Sequence, residues 1–379
     1  MDAASVVVFT DTYLPTVNGV TYTIKTWRER WERRGGRMDV VYPASTDHDP
    51  DGGEHPVRSV PFPFYDGFRV GVPRIPQSLG RLDADVVHAH TPFGLGLAGL
   101  RLAGRANLPF VVSYHTPTAE YAEYLTSSRP VGRGLERLST RYEQWFLSHA
   151  DAVVVPSAQT REQLVSRGVD GVTVVHNGVD VDRFEPVDAA GFRDRHDLGD
   201  GTLVGYTGRH GFEKCLPDIL RAVDGMDDVT VVFGGDGPAR ETLERLADEH
   251  DVDARFLGFL PREELPAFYS ALDVFAFPSP VETQGLVALE AIACGTPVVG
   301  VRDGALTDTI DDGVTGFHYE PGDIDGFGER IRQALAMRAA LERNCLARRE
   351  EISVERSVDT LTTVYDRVRE HGETAAVGH

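Results

Sequence analysis

A chain of 379 residues is too long for one ordinary core, and at about 150 residues per domain it points to two or three. Its 41% hydrophobic content is ordinary for a soluble globular protein, while its formal charge of −21 argues against nucleic-acid binding, which needs a basic surface. Cys215, Cys294 and Cys345 are scattered and odd in number; they give neither a disulfide framework nor a metal-ligand spacing and fit a reducing cytoplasm.

Residues 5–10 (SVVVFT) are apolar on both faces, the pattern of a buried parallel strand. A loop from Asp11 leads to a predicted helix at 20–34 and a strand at 40–42. This is a βαβ unit without the G-x-G-x-x-G dinucleotide fingerprint. Short strands are predicted at 57–60 and 85–88, a loop and helix over 88–106, and a strand at 110–114 that ends on His115. Residues 129–149 read as a long helix with Arg133, Arg137 and Arg141 on one face at i, i+4 and i+8. A strand at 152–155, a helix at 160–167 and a strand at 172–175 complete the first half, and the polar, irregular 182–200 reads as a linker.

The second half repeats the alternation, with strands at 203–207, 229–233, 255–257, 274–277, 298–301 and 317–319 and closing helices from 327 onward. Two such halves predict two Rossmann-like, doubly wound parallel-sheet domains facing a cleft. Their expected bounds are 1–185 and 186–355, with a C-terminal helix in 356–379 packing back toward the first domain. The longest apolar runs, such as 152–156 and 229–233, are strand-length, far below the roughly 20 residues of a membrane span. No basic-then-apolar leader precedes Val6, so a cytoplasmic protein is expected.

The charge is uneven. Residues 1–187 carry 19 basic and 22 acidic side chains, which leaves a net of −18 for the remainder. The first half is therefore the better neighbour for an anionic surface. So acidic a surface, with arginine far outnumbering lysine, is of the kind that keeps proteins hydrated in high salt.

Candidate site residues cluster at predicted strand ends. Glu282 and Glu290 lie eight positions apart around the Gly285-Leu286 step. A helix starting near Thr283 would put Glu282 beside its unpaired N–H groups and Glu290 two turns in. Such backbone donors beside two carboxylates suit a ligand with hydroxyls and phosphates. The plain alternative is a capped amphipathic helix with Glu290 in solvent. Arg209 and Lys214 follow a strand and Gly208, a diphosphate clamp or two solvated cations. The GGDG at 234–237 sits where ligands bind in open α/β sheets, and is also a generic turn. Asn18-Gly19 allows close backbone approach or is an ordinary helix entry. His115 is placed to meet a sugar hydroxyl, or is a packed histidine. His88 and His90 have no third ligand at metal spacing, so no metal is expected. The Arg133/Arg137/Arg141 stripe, with Lys25, Arg28, Arg30, Arg33 and Arg34 on the first helix, suits an anionic bilayer or plain solvent.

Together the E-x7-E segment with ETQG at 282–285, ACGTPV at 293–298, VHNGVD at 175–180 and the Arg209/Lys214 pair resemble the retaining glycosyltransferases of family 4 over nearly the whole chain. The resemblance implies the two-domain GT-B fold and a nucleotide-sugar donor, UDP- or GDP-linked. It implies that Glu290 binds the ribose and Glu282 the sugar hydroxyls, and that Arg209 and Lys214 hold the diphosphate. The backbone of Gly208, Gly285, Leu286 and Val287 would line the donor, Gly19 would approach the phosphate, and His115 would touch the sugar. No metal or other cofactor is implied, because cations and helix dipoles stabilise the departing diphosphate. YLPTVNGV at 13–20, HTPFG at 90–94 and SYHT at 113–116 are most similar to glycolipid-making members, and the charge leads to the expectation of a halophilic archaeal source. Tyr13, Asn18 and the three arginines would then serve a lipid-linked acceptor and peripheral membrane contact at the inner face of the cell membrane. A small soluble acceptor, a non-catalytic sugar-nucleotide binder and a UDP-sugar 2-epimerase are the rival readings. His210, Cys215 and His176 depart from the family pattern, standing where an apolar residue, Gly or Asn, and Pro are common.

Overall fold

A computed structural model describes residues 3–16, 18–61, 69–79, 83–115 and 129–377. The chain divides into two compact units, residues 1–176 with 357–379 and residues 177–356.

The first unit is built on a seven-stranded parallel sheet. Its strands are β1 (Ser5–Phe9), β2 (Arg37–Pro43), β3 (Glu54–Val57), β6 (Val86–Ala89), β7 (Phe110–Ser113), β8 (Ala152–Val155) and β9 (Val172–Val174), in the order β3-β2-β1-β6-β7-β8-β9. Two short strands, β4 (Ser59–Pro61) and β5 (Arg69–Gly71), pair antiparallel beside it. The valine-rich runs of β1, β6 and β8 are covered on both faces, as all-parallel sheets require. The helix Gly19–Arg33 starts where the Asn18 side chain accepts from the Thr21 N–H at 2.9 Å. The helix Gly94–Ala106 has no cap from its own Phe93; the Asp11 carboxylate accepts from the Leu95 N–H instead, at 3.1 Å.

The C-terminal helix Val354–Val377 belongs to this unit from Ser357 onward. Tyr365 meets Trp31 edge-on at 5.2 Å between ring centroids and reaches His88, and Asp359 pairs with Arg34 at 2.6 Å.

The second unit has six parallel strands, β10 (Thr202–Thr207), β11 (Val229–Gly234), β12 (Ala254–Gly258), β13 (Val274–Phe277), β14 (Val298–Val301) and β15 (Gly316–Tyr319). Their order is β12-β11-β10-β13-β14-β15. Strand order reverses between β10 and β13 here, and between β1 and β6 in the first unit. Those are the points where doubly wound sheets leave a crevice at their carboxyl ends.

The expected linker is not one. Within 182–200 the helix Ala190–Arg195 forms, and Phe184, Phe192 and Leu198 are buried in the core of the second unit. Three apolar anchors in a polar stretch suffice to dock it, and residues 177–185 lie in this unit as well. Among the described residues no helix is long and apolar enough to cross a membrane.

Candidate active site

The loop after β10 is stitched to the loop after β11. The Gly208 N–H donates to the Gly234 carbonyl (3.1 Å), the His210 N–H to Asp236 (2.8 Å), and the Ala239 N–H to the His210 carbonyl (2.8 Å). The buried His210 ring adds a contact from Nε2 to the Gly234 carbonyl at 3.2 Å. Gly235 is needed for this fit, because a Cβ there would stand 2.0 Å from the Gly208 oxygen. The GGDG turn is therefore a docking surface for the Arg209 loop as well as a bend. Cys215 has a φ of 53°, in the left-handed region, where Gly or Asn is at less strain.

This loop carries Lys214 to the switch point. Its ammonium donates to Glu282 Oε1 at 2.7 Å, across from the loop that follows β13. Arg209 is half-exposed and pairs with Glu213. Both cations of the expected clamp are thus held by carboxylates of the protein. The sequence contains only two lysines, Lys25 and Lys214, among 38 basic residues. In so arginine-biased a chain, position 214 keeps the compact point charge rather than the planar fork.

The helix expected near Thr283 begins three residues later, as Leu286–Ala293. Gly285 sits at its N-cap with φ 73°, and a Cβ there would lie 2.9 Å from Leu306 and 3.0 Å from Phe277. No side chain caps the first turn, which leaves the Leu286 and Val287 amides at the positive end of the helix. Glu282 therefore stands in the loop, not on the helix. Its carbonyl accepts from the Ala305 N–H at 3.2 Å. Gln284 is fixed from both sides: its side-chain oxygen accepts from the Asn177 N–H at 2.8 Å, and its carbonyl from the Thr309 hydroxyl at 2.5 Å. The VHNGVD and ETQG motifs, separate in sequence, meet here.

Glu290 is 6% exposed, so the reading of a solvated glutamate on a plain helix fails. Its Oε2 accepts from the Tyr269 hydroxyl at 2.8 Å, and its Oε1 lies 3.5 Å from the Arg262 guanidinium, which in turn covers the Phe184 ring. Burial pushes its carboxyl above the ordinary range, against the opposing pull of Arg262 and the Tyr269 hydrogen bond.

In the first unit, Gly19 opens its helix at the carboxyl end of β1, behind Asn18, whose amide also donates to the Thr12 hydroxyl at 2.7 Å. Tyr13, expected at the acceptor, is buried, with its hydroxyl on Glu54 (3.1 Å) and its ring on Tyr42. It shapes the loop from inside. Arg28, counted among the membrane-facing cations, is also buried and pairs with Glu54 and Glu32. Arg137 and Arg141 are exposed on the helix Arg129–Leu147, whereas the side chain of Arg133 lies outside the described residues.

At the β1/β6 switch point, Asp11 accepts from the Thr91 hydroxyl (2.8 Å) and the Leu95 and Gly71 amides, and burial pushes its carboxyl up to about 6. His115 follows β7, and its Nε2 lies 2.8 Å from His90 Nδ1. Desolvation lowers the pKa of His115 to about 4 and of His88 to about 3, and drives His90 far down as well, so all three rings are neutral at pH 7. Sequence reasoning missed Asp11, Arg262 and Tyr269, because each acts through a partner distant in the chain.

Residues 17–183 match the family described as Glycosyltransferase Family 4, and residues 191–350 the one described as Glycosyl transferases group 1. A GDP-mannose-dependent alpha-mannosyltransferase of Mycolicibacterium smegmatis is 31% identical over 334 residues, 85% of this chain and 85% of the relative. The chain belongs to glycosyltransferase family 4. A sulfoquinovosyl transferase of Arabidopsis thaliana is 33% identical over 306 residues, 78% of this chain but only 59% of the relative. An alpha-monoglucosyldiacylglycerol synthase of Streptococcus pneumoniae is 28% identical over 368 residues, 92% and 82% of the two chains. Among solved structures, a sucrose-phosphate synthase of Thermosynechococcus elongatus matches with a TM-score of 0.78 at 22% identity, over 96% of this chain and 99% of that one. Anabaena HepE, solved with UDP-glucose, matches with a TM-score of 0.74 at 18% identity, over 96% and 99%. These structures show the GT-B fold, and the family makes the protein a glycosyltransferase, as the sequence motifs implied.

Proposed function

We propose that this glycosyltransferase moves a hexose, with retention, from a UDP- or GDP-sugar to a lipid-linked acceptor. The observation that carries the donor side is the Lys214–Glu282 pair at the β10/β13 switch point, with Glu290 buried in the helix just beyond. Glu290 takes the ribose hydroxyls. Lys214, Arg209 and the amides of Leu286 and Val287 take the diphosphate. Glu282, released from Lys214, takes hydroxyls of the sugar. In the transfer, the acceptor oxygen attacks C1 from the face the diphosphate leaves. The C1–O bond breaks with its electron pair on the phosphate, and the acceptor proton passes to that oxygen. Lys214 and Arg209 neutralise the charge that develops there, so the chemistry needs no metal. Chelator-treated enzyme is expected to keep its activity.

The lipid acceptor is favoured by the relative named as an alpha-monoglucosyldiacylglycerol synthase and by one surface of this chain. The helix Arg129–Leu147 exposes Leu138 and Trp145 beside Arg137 and Arg141, a mixture that suits the boundary of an anionic bilayer. A small soluble acceptor is the second reading, favoured by a D-inositol 3-phosphate glycosyltransferase 35% identical over 297 residues. Co-sedimentation with vesicles of anionic and neutral lipid separates the two. Binding to anionic vesicles that weakens with Trp145→Ala and Arg141→Glu supports the lipid reading, and its absence favours the soluble acceptor. Calorimetry with UDP-, GDP- and ADP-sugars tests the donor: no binding of any would refute the donor site.

A further inference from the structure

His90 and His115 leave neighbouring parallel strands. His90 directly follows β6 and is pinned by its N–H to the Phe9 carbonyl at 2.9 Å, while His115 stands two residues past β7. Their rings are nearly parallel, at 17° and 5.1 Å between centroids, with His90 Nδ1 and His115 Nε2 2.8 Å apart. One proton is shared in that contact, since both rings are buried. His90 is itself held in place. The His88 ring lies 4.3 Å from it, and the Trp27 ring stands edge-on at 5.8 Å.

His88 is fixed at both nitrogens. The buried Tyr365 hydroxyl needs an acceptor and finds one in His88 Nδ1 at 2.6 Å, which leaves the proton on Nε2 to donate to the Ser113 hydroxyl at 2.9 Å. A fixed ring therefore packs against His90, and His90 engages His115 at Nε2. Among the described residues, His115 is engaged at Nε2 and its Nδ1 remains to meet a ligand.

We propose that His90 is a positioning residue for transfer: its hydrogen bond to His115 Nε2 fixes that imidazole in one orientation and one tautomer, with Nδ1 presented to the donor sugar. The inference rests on the reading that His115 meets the sugar. It gives His90 a role outside metal binding, and it gives the returning C-terminal helix a part in the site through Tyr365.

The test compares wild type with His90→Phe, His90→Asn and His115→Ala in the full chain, measuring kcat and the donor KM. Phe keeps a ring of similar size and loses the nitrogen, whereas Asn keeps a polar atom near the Nδ1 position. Losing one buried hydrogen bond corresponds to about tenfold to hundredfold. His90→Phe is expected to lower kcat by that much with little change in donor KM, and His90→Asn to recover most of it. The 15N signals of histidine-labelled protein give a second readout. One tautomer of His115 is expected in wild type and His90→Asn, and an averaged signal in His90→Phe. If His90→Phe keeps full kcat, or if both variants fall equally and in step with melting temperature, the inference is overturned. If His115→Ala itself leaves kcat unchanged, the reading of His115 at the sugar fails instead.

Discussion

Replacing Glu282 by Gln is expected to tighten the binding of a bare nucleoside diphosphate while slowing sugar transfer. Lys214 donates to Glu282 at 2.7 Å, with the two side chains 18% and 17% exposed. Two unit charges at that separation attract by about 6 kcal/mol at an effective dielectric of 20. Most of that is offset by hydration the pair gives up, and partly exposed pairs retain about 1 kcal/mol. A diphosphate must compete with that carboxylate for Lys214 and sit beside its charge. Glutamine keeps the shape and removes the charge, so diphosphate affinity should rise about fivefold, the equivalent of about 1 kcal/mol. The intact nucleotide sugar should gain less, because a neutral amide accepts from the sugar hydroxyls more weakly than a carboxylate, and kcat should fall by about a hundredfold or more. Isothermal titration of UDP and GDP into both proteins at one salt concentration gives the first number, and product formation the second. Unchanged or weaker diphosphate binding in Glu282→Gln, at unchanged melting temperature, would refute the exchange of partners on Lys214.

Other perturbations bear on the same account. Glu290→Ala strands the buried Tyr269 hydroxyl and takes a carboxylate from Arg262, so it should cost about 2 kcal/mol or more of stability and most of the donor affinity. Glu290→Gln should keep the fold and still weaken the nucleotide in calorimetry; unchanged donor affinity would remove Glu290 from the ribose site. Cys215→Gly relieves a residue held at φ 53°, and urea unfolding should show a gain of about 1 kcal/mol with activity retained. Stability of the first unit should fall on acidification. His115 and His88 titrate near 4 and 3 when folded and His90 lies far below its ordinary value. The unfolded chain therefore binds protons that the folded one refuses, and the stability these rings give above pH 6.5 is lost as pH falls toward 4. Asp11, raised to about 6, acts in the opposite sense, its contribution being lost as pH rises from 4 to 6. Three protons against one leave the acid loss dominant. Trp27, Trp31 and Trp145 all lie in the first unit, so tryptophan fluorescence follows it alone, and His88→Gln should flatten the slope.

The parallel strands were legible because sheets covered on both faces need continuous apolar runs, and residues 5–9, 152–155 and 229–233 supply them. The positions of Lys214 and Glu282 at strand ends were legible for the same reason. That they touch was not, since the contact follows from the strand order around β10 and β13, which no local pattern encodes. Helix onset was misplaced because Gly285 reads as a permissive residue inside a helix, whereas its left-handed conformation makes it the point where the chain turns into one. The segment 182–200 passed for a linker because Phe184, Phe192 and Leu198 are too sparse to show a period. The contact between His90 and His115 is not legible in the sequence, which does not reveal that β6 and β7 end side by side.

Transfer from a nucleotide sugar to a lipid through Lys214 and Glu282 is tested most directly by incubating the enzyme with radiolabelled UDP- or GDP-hexose and lipid vesicles and counting the organic extract. Label should enter the lipid with wild type and fall to background with Lys214→Ala at unchanged fold. Label that never leaves the aqueous phase, or that enters lipid equally well with Lys214→Ala, would contradict it.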